Sequence, residues 1–334
     1  MEQFSEYVAW FKGLTREEQE AVVERFLSLL TGEEGKKVVE DGAARGRKQR
    51  SLKCPHCGGV QINAAGKMRG KQMYVCRGCW KRFVEGHGTV MWRLKKPEQF
   101  KAYVYHMLRG ESIRACAVAV GVSVPTAFAW RHRILSALAE REGEELKGTV
   151  EMDEIFFLHS DKGAKKLTRP PRKRGGRARR RGITDEHVTV VVAVSRDGKK
   201  VMKVAGRGRL SLNKLEAAIG DKLKSADVLC TDAHTTYQAF AKKHKLPHKV
   251  VRSQKHARVL EKIYHVQHVN QTTSHLRTWM RRFHGVSTKY LQNYLNWFLY
   301  LGKLKNQRNP LFAFVLTLIT SHNAWWSWKR CMNI

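Results

Sequence analysis

Three acids sit inside one apolar run. Glu151, Asp153 and Glu154 fall within Thr149–Phe157, a stretch of β-favouring and aromatic residues that predicts a buried strand. A carboxylate in such a strand is costly unless something pairs with it, and a metal ion is one such partner. A further acid, Asp232, ends the strand-like segment Ala226–Thr231. Carboxylates from two neighbouring strands can share divalent cations, which is the apparatus of phosphoryl transfer. Taken alone, Asp232 could instead be the N-cap of the helix that follows, and Glu151 or Glu154 could be the functional acid of the first strand. Beyond Asp232 the chain holds one more acid, Glu261. A third ligand is therefore either Glu261 or a group that is not a carboxylate.

A second set of ligands stands earlier in the chain. Cys54-Pro55-His56-Cys57 and Cys76-Arg77-Gly78-Cys79 are two CxxC pairs separated by 18 residues. This spacing predicts a structural zinc ribbon, because four thiolates leave Zn²⁺ no open position. His56 then lies outside the ligand set. The remaining cysteines, Cys116, Cys230 and Cys331, are scattered. An odd total of seven, after an acidic and polar opening with no secretory signal, predicts a reducing, cytoplasmic setting and no disulfide framework.

The partner is written in the charge. In 334 residues, 63 Lys and Arg face 29 Asp and Glu, a net charge of +34, which calls for a polyanion, nucleic acid before an anionic membrane. The longest apolar run, Leu311–Ile319, is too short to cross a bilayer.

The elements that must position these groups follow in order. Residues 1–31 predict a helical, locally acidic unit, with Thr15 and Glu18 as a capping box, and 32–50 a basic linker; 51–90 hold the ribbon. Within 97–145, helices over Phe100–Leu108, Ser112–Val120 and Pro125–Leu138, with a turn at Gly121-Val122-Ser123, predict a helix-turn-helix unit. Its last helix carries Thr126, Trp130, Arg131, His132 and Arg133, expected to meet a major groove. Lys162–Arg181, with Lys173, Arg174 and Arg177, predicts a mobile, phosphate-binding loop. From 148 to 300 the order is strand, strand, strand, helix, strand, helix, strand, helix. That is the order of the ribonuclease H fold, an α/β domain with a mixed five-stranded sheet, in which the first acid lies in the first strand and the second at the end of the fourth. Asp153 and Asp232 occupy those places. Residues 301–334 predict a helical, aromatic-rich segment, and Tyr290, Tyr294, Trp297, Tyr300, Trp325, Trp326 and Trp328 are expected to serve packing or a dimer contact.

His265-Val266-Gln267-His268-Val269-Asn270, Arg277, and Arg281-Arg282-Phe283-His284-Gly285-Val286-Ser287-Thr288-Lys289-Tyr290-Leu291 resemble bacterial insertion-sequence transposases with an N-terminal zinc ribbon and a DDE-superfamily catalytic domain. Glu151–Glu154 and Thr231–Tyr237 are similar to the first two acid motifs of that group, and the resemblance covers roughly residues 50–300. It implies Asn270 as third metal ligand, since some members carry Asn there, and Arg277 where the pattern has Lys. Seven residues are nearly two helical turns, so Asn270 and Arg277 share a face. It further implies Asp153, Asp232 and Asn270 holding Mg²⁺ or Mn²⁺, double-stranded DNA (element ends and target) as partner, Arg281 on DNA, at least a dimer, and cytoplasmic action on the bacterial nucleoid. The expected activity is metal-dependent DNA cleavage and strand transfer. A catalytically inactive or domesticated DNA-binding regulator is the alternative, and a ribonuclease-H-type nuclease without strand transfer a third reading.

Overall fold

The computed structural model describes Thr15, residues 53–305 apart from 69, 85, 140–144, 165, 168, 173, 174, 252–258 and 262, and residues 313, 314, 317, 318, 321 and 324–332. The expected N-terminal helix and basic linker lie outside the described residues, as do Lys173 and Arg174. Two compact units result, one drawn from Met1–Trp92 with Leu311–His322, the other from Arg93–Pro310 with Asn323–Ile334.

In the first unit, β1 (Ile62–Met68), β2 (Lys71–Cys76) and β3 (Arg82–Val84) form an antiparallel sheet. Its small core is Cys54, Cys76 and Phe83, with Ile62, Tyr74 and Cys79 packed against it.

The second unit opens with α1 (Pro97–Leu108), α2 (Ile113–Ala119) and α3 (Val124–Ala139). Pro sits at the start of α1, and the Ser112 and Ser123 hydroxyls accept from the Ala115 and Thr126 N–H groups at 3.1 and 3.3 Å, capping α2 and α3. The two helices bend by 113° across their turn, within the helix-turn-helix range of about 90–120°.

The sheet follows, in the expected order of elements: β4 (Lys147–Leu158), β5 (His187–Ser195), β6 (Lys200–Arg207), α4 (Leu212–Ile219), β7 (Ser225–Thr231), α5 (Thr235–Lys243), β8 (His248–Val250) and α6 (Gln267–Arg281), then α7 (Leu291–Leu304) and α8 (Ala324–Met332). The strand order is β6-β5-β4-β7-β8, with β4 parallel to β7, β7 parallel to β8, and the other pairs antiparallel. This is a ribonuclease-H-like α/β fold. β5 is apolar on both faces because both are covered. Val150 and Met152 of β4 join Leu215, Ile219, Tyr237 and Phe240 of α4 and α5 in the core on one side. On the other side, α6 packs on β4 and β5.

Two expectations need correction. The third helix does not offer its cations to a groove: Trp130, Arg131 and Arg133 are buried, and Thr126 is half-buried. The reason is that α7 and α8 pack on α3. Arg131 donates to Tyr103 Oη at 3.1 Å and to the Glu111 carbonyl at 2.9 Å, and lies 5.1 Å from the Trp297 ring centre. Arg133 lies 4.6 Å from the centre of the Trp325 ring. Tyr294, Trp297 and Tyr300 are thus core, and Trp297 and Trp325 make cation–π contacts with Arg131 and Arg133. Second, the described part of the basic loop is tied down. Lys162 Nζ donates to the Gly285 carbonyl at 2.7 Å, Ser160 and Thr288 exchange two bonds of 2.9 Å, and Arg172 holds the His159 carbonyl at 2.9 Å.

Candidate active site

Strand β4 places the acids. Side chains alternate across a strand, so Glu151 and Asp153 share the α6 face, while Glu154 follows Val150 and Met152 to the α5 face. Glu151 is in register with Cys230 of parallel β7. Continued two residues further, that register brings Asp153, midway along β4, alongside Asp232, just past the carboxyl end of β7, and the Asp232 charge reaches Asp153. Asp153 is half-buried and Asp232 exposed, accepting from the His234 N–H at 3.1 Å. Burial pushes the Asp153 carboxyl up to about 6; the Glu154 N–H and Arg277 work against this, and the charges of Glu154 and Asp232 add to it. Excess negative charge collected in a partly desolvated niche fits a divalent cation, for which Asp153 and Asp232 are hard oxygen donors.

Helix α6 brings the other groups, and Glu151 holds α6. The Glu151 carboxylate is fully buried. It accepts from the His268 and Val269 N–H groups at 2.8 and 3.1 Å and meets His268 Nδ1 at 2.7 Å. Arg196 Nη2 and His265 Nδ1 lie at 3.2 Å. α6 starts at Val266 with no side-chain cap and no acid in its first turn. Glu151, from the sheet, supplies both the acceptor and the negative charge that a helix N-terminus favours. Glu151, His265 and His268 are close enough to hold a metal ion, but the Arg196 guanidinium, also 2.8 Å from His265 Nε2, already provides the cation. Asn270 is exposed in the first turn of α6, one residue past this clamp, and exposed Arg277 is near enough to Asp153 to stabilise its charge. Glu261 is exposed before α6 and pairs with Lys249 Nζ at 2.6 Å.

A cavity of about 1060 Å³ lies at the carboxyl end of β4, between the basic loop and the end of α6. Phe157, Leu158, Met280 and Leu291 give it apolar walls, and Lys162, Arg169, Arg172, Arg277 and Arg281 add cations. Arg177, on the same loop, is exposed.

Residues 145–301 match the model of the ISXO2-like transposase domain. This segment is an ISXO2-like transposase domain. Over 263 residues the chain is 26% identical to an uncharacterized protein in transposable element ISH50 of Halobacterium salinarum, covering 75% of this chain and 85% of that one. Looser likenesses link it to a pre-cleavage Mos1 transpososome (TM-score 0.24, 10% identity, 70% of this chain and 78% of that one) and to the Drosophila P element transposase strand transfer complex (0.28, 14%, 72% and 60%). The domain match stands without them.

Outside the transposase domain, the four cysteines converge as their spacing predicts. Cys54 Sγ lies 3.6 Å from Cys79 Sγ, and Cys57 Sγ 3.6 Å from Cys76 Sγ. Tetrahedral zinc with bonds of about 2.3 Å sets its sulfurs roughly 3.8 Å apart, so the cluster could hold that ion. The His56 and Gly59 N–H groups point at Cys54 and Cys57 sulfurs at 3.4 Å. At Cys76, burial opposes ionisation, but N–H groups of Cys79 and Gly78 outweigh it and bring the thiol down to about 7. Among the described residues, no single helix is long and apolar enough to cross a membrane.

The sequence reading missed the role of Glu151 in holding α6 of the transposase domain. The signal was available: a helix beginning Val266-Gln267-His268 has no local cap, so its N–H groups need an acceptor from elsewhere in the fold.

Proposed function

We propose that this transposase binds the terminal inverted repeats of an insertion sequence and catalyses metal-dependent DNA strand cleavage and strand transfer. The observation that carries the reading is the parallel register of β4 on β7, with Glu151 opposite Cys230, which supports a pairing of Asp153 with Asp232 two residues further on, within the segment that matches the transposase-domain model. Asp153, Asp232 and Asn270 would hold Mg²⁺ or Mn²⁺, the Asn270 amide oxygen serving without charge. A divalent cation bound there supplies Lewis-acid stabilisation of the attacking and leaving oxygens in an in-line displacement at phosphorus. Arg277 faces the same niche and would bind the scissile phosphate; Arg281, Arg177 and Lys162 extend the cationic track for flanking phosphates.

The four cysteines would hold structural Zn²⁺, ordering a ribbon whose Lys67, Lys71, Arg77 and Lys81 contact DNA. In the helix-turn-helix unit, end recognition falls to the surface left open by α7 and α8: exposed Arg114 and Val118 of α2, and the Ser123–Thr126 end of α3. Joining two ends at once calls for at least a dimer, working on nucleoid DNA in the cytoplasm.

The test is cleavage and joining of the element's own ends with Mg²⁺. Wild type should cut and join; Asp153→Ala and Asp232→Ala should bind the ends and do neither. The neutral Asn270 keeps a second reading, a DNA-binding regulator, which is established if wild type binds the ends and never cuts them.

A further inference from the structure

The two cysteine knuckles of the first unit share a backbone plan and differ in the residue that closes them. In each, the residue after the second cysteine donates its N–H to the carbonyl of the first cysteine: Gly58 to Cys54 and Trp80 to Cys76, both at 2.8 Å. Both residues have a left-handed backbone, with φ of 77° at Gly58 and 57° at Trp80. Glycine adopts that conformation without steric cost, and a residue with a Cβ does not. The second knuckle therefore carries strain that the first avoids. Packing does not offset it, because Trp80 is 71% exposed, whereas a tryptophan that serves a core is mostly covered. A bulky residue kept in a strained turn and left in solvent points to a contact outside the chain. The charge around it says what kind. Arg77, Lys81 and Arg82 are exposed beside Trp80, and no acid lies between Cys76 and Val84.

We propose that Trp80 stacks on an unpaired base at a DNA strand end, with Lys81 and Arg82 on the phosphates that flank it. The inference rests on the proposed function, since strand cleavage produces such ends. An aromatic face ringed by cations fits a polyanion that itself offers flat π faces, which is single-stranded nucleic acid. The interior of a duplex presents phosphates and base edges instead, and its base faces are closed by stacking. Stacking is tolerant of sequence, so Trp80 would hold a strand end without reading it. The knuckle makes the ring rigid: Cys76 and Cys79 bracket the turn, and the Trp80 N–H is fixed on Cys76. A ring held ready in this way loses little freedom on binding.

The experiment compares two probes on the zinc-loaded full chain by fluorescence anisotropy at one salt concentration: a blunt duplex of the element's end, and the same duplex with a single-stranded extension. The informative variant is Trp80→Gly, which gives the second knuckle the residue the first already has and should retain zinc at least as well as wild type. It should bind the extended probe roughly 10-fold more weakly and the blunt duplex within threefold of wild type. Trp80→Tyr, which keeps a ring, should retain most of the affinity for the extension. Binding of both probes within threefold of wild type by Trp80→Gly overturns this inference, and equal losses on both overturn it in favour of a duplex contact. Unchanged DNA affinity with an altered oligomeric state, read by sedimentation, overturns it in favour of a protein contact. If wild type binds neither probe, the proposed function falls, and this inference with it.

Discussion

Replacing Glu151 should loosen α6 before it harms anything else. The carboxylate is fully buried and makes two bonds to α6 backbone N–H groups, a 2.7 Å contact with His268, and an ion pair with Arg196. Glu151→Gln keeps the volume and one acceptor oxygen but removes the charge. A hydrogen bond to a charged group is worth about 1.5–3 kcal/mol against 0.5–1.5 for a neutral one, so two weakened backbone bonds cost about 2 kcal/mol. The partly exposed Arg196 pair adds little, because solvent screens it. Glu151→Ala breaks the buried cluster outright and should cost about 3–5 kcal/mol. The assay is amide hydrogen exchange across Gln267–Arg281, beside urea unfolding. A loss of 2 kcal/mol raises the opening constant about 30-fold, concentrated at the His268, Val269 and Asn270 amides. DNA cleavage should fall by about 100-fold or more, the usual effect of a catalytic group displaced by about 1 Å. If exchange in the first turn of α6 is unchanged in Glu151→Gln and unfolding free energy stays within about 0.5 kcal/mol of wild type, the clamp is refuted.

Three further outcomes follow from the same geometry. Arg131→Met should destabilise the fold by about 3 kcal/mol, as removal of a buried and bonded cation does, and leave the salt dependence of DNA binding unchanged; Arg281→Ala should do the reverse, lowering the log–log salt slope by about 1 with little loss of stability. In metal-free buffer, the Asp153 carboxyl raised to about 6 binds its proton more tightly in the folded chain than in the unfolded one. Stability is therefore lost as pH rises from about 4 to about 6, by on the order of 3 kcal/mol, and Asp153→Asn should flatten that part of a urea-unfolding series against pH. Cys76→Ser, or chelation of zinc, should unfold β1–β3, read as loss of proton-resonance dispersion in that sheet, because a core of three buried residues cannot stand without the ion.

The sheet was legible because its signals are local. The apolar run of β5, the Asp197-Gly198 turn and the acid closing β7 each identify an element without knowledge of its neighbours, and their order then selects the topology. The cysteine tetrad was legible for the same reason, since spacing alone brings two knuckles to one ion. The face of α3 was not. Trp130, Arg131 and Arg133 have the composition of a DNA-reading helix, and the sequence around them does not reveal that Trp297 and Trp325, more than 150 residues later, cover those cations. An arginine beside a tryptophan is as stable as one beside a phosphate, so residue type alone does not separate the two.

The acids of β4 show the same limit from the other side. Composition marks Glu151, Asp153 and Glu154 equally; only the partners divide them. Because β4 is the central strand, each face meets a different helix. Glu151 meets the uncapped end of α6 and is neutralised there by backbone N–H groups and Arg196. Asp153, one step further on the same face, passes beyond those donors and keeps an excess of negative charge beside Asp232. The strand thus docks the helix that carries Asn270 and Arg277 with one carboxylate, and with the next gathers negative charge that no backbone clamp neutralises. Helix position and acid position are then set by one rigid segment, so a shift of β4 by a single residue would lose both together.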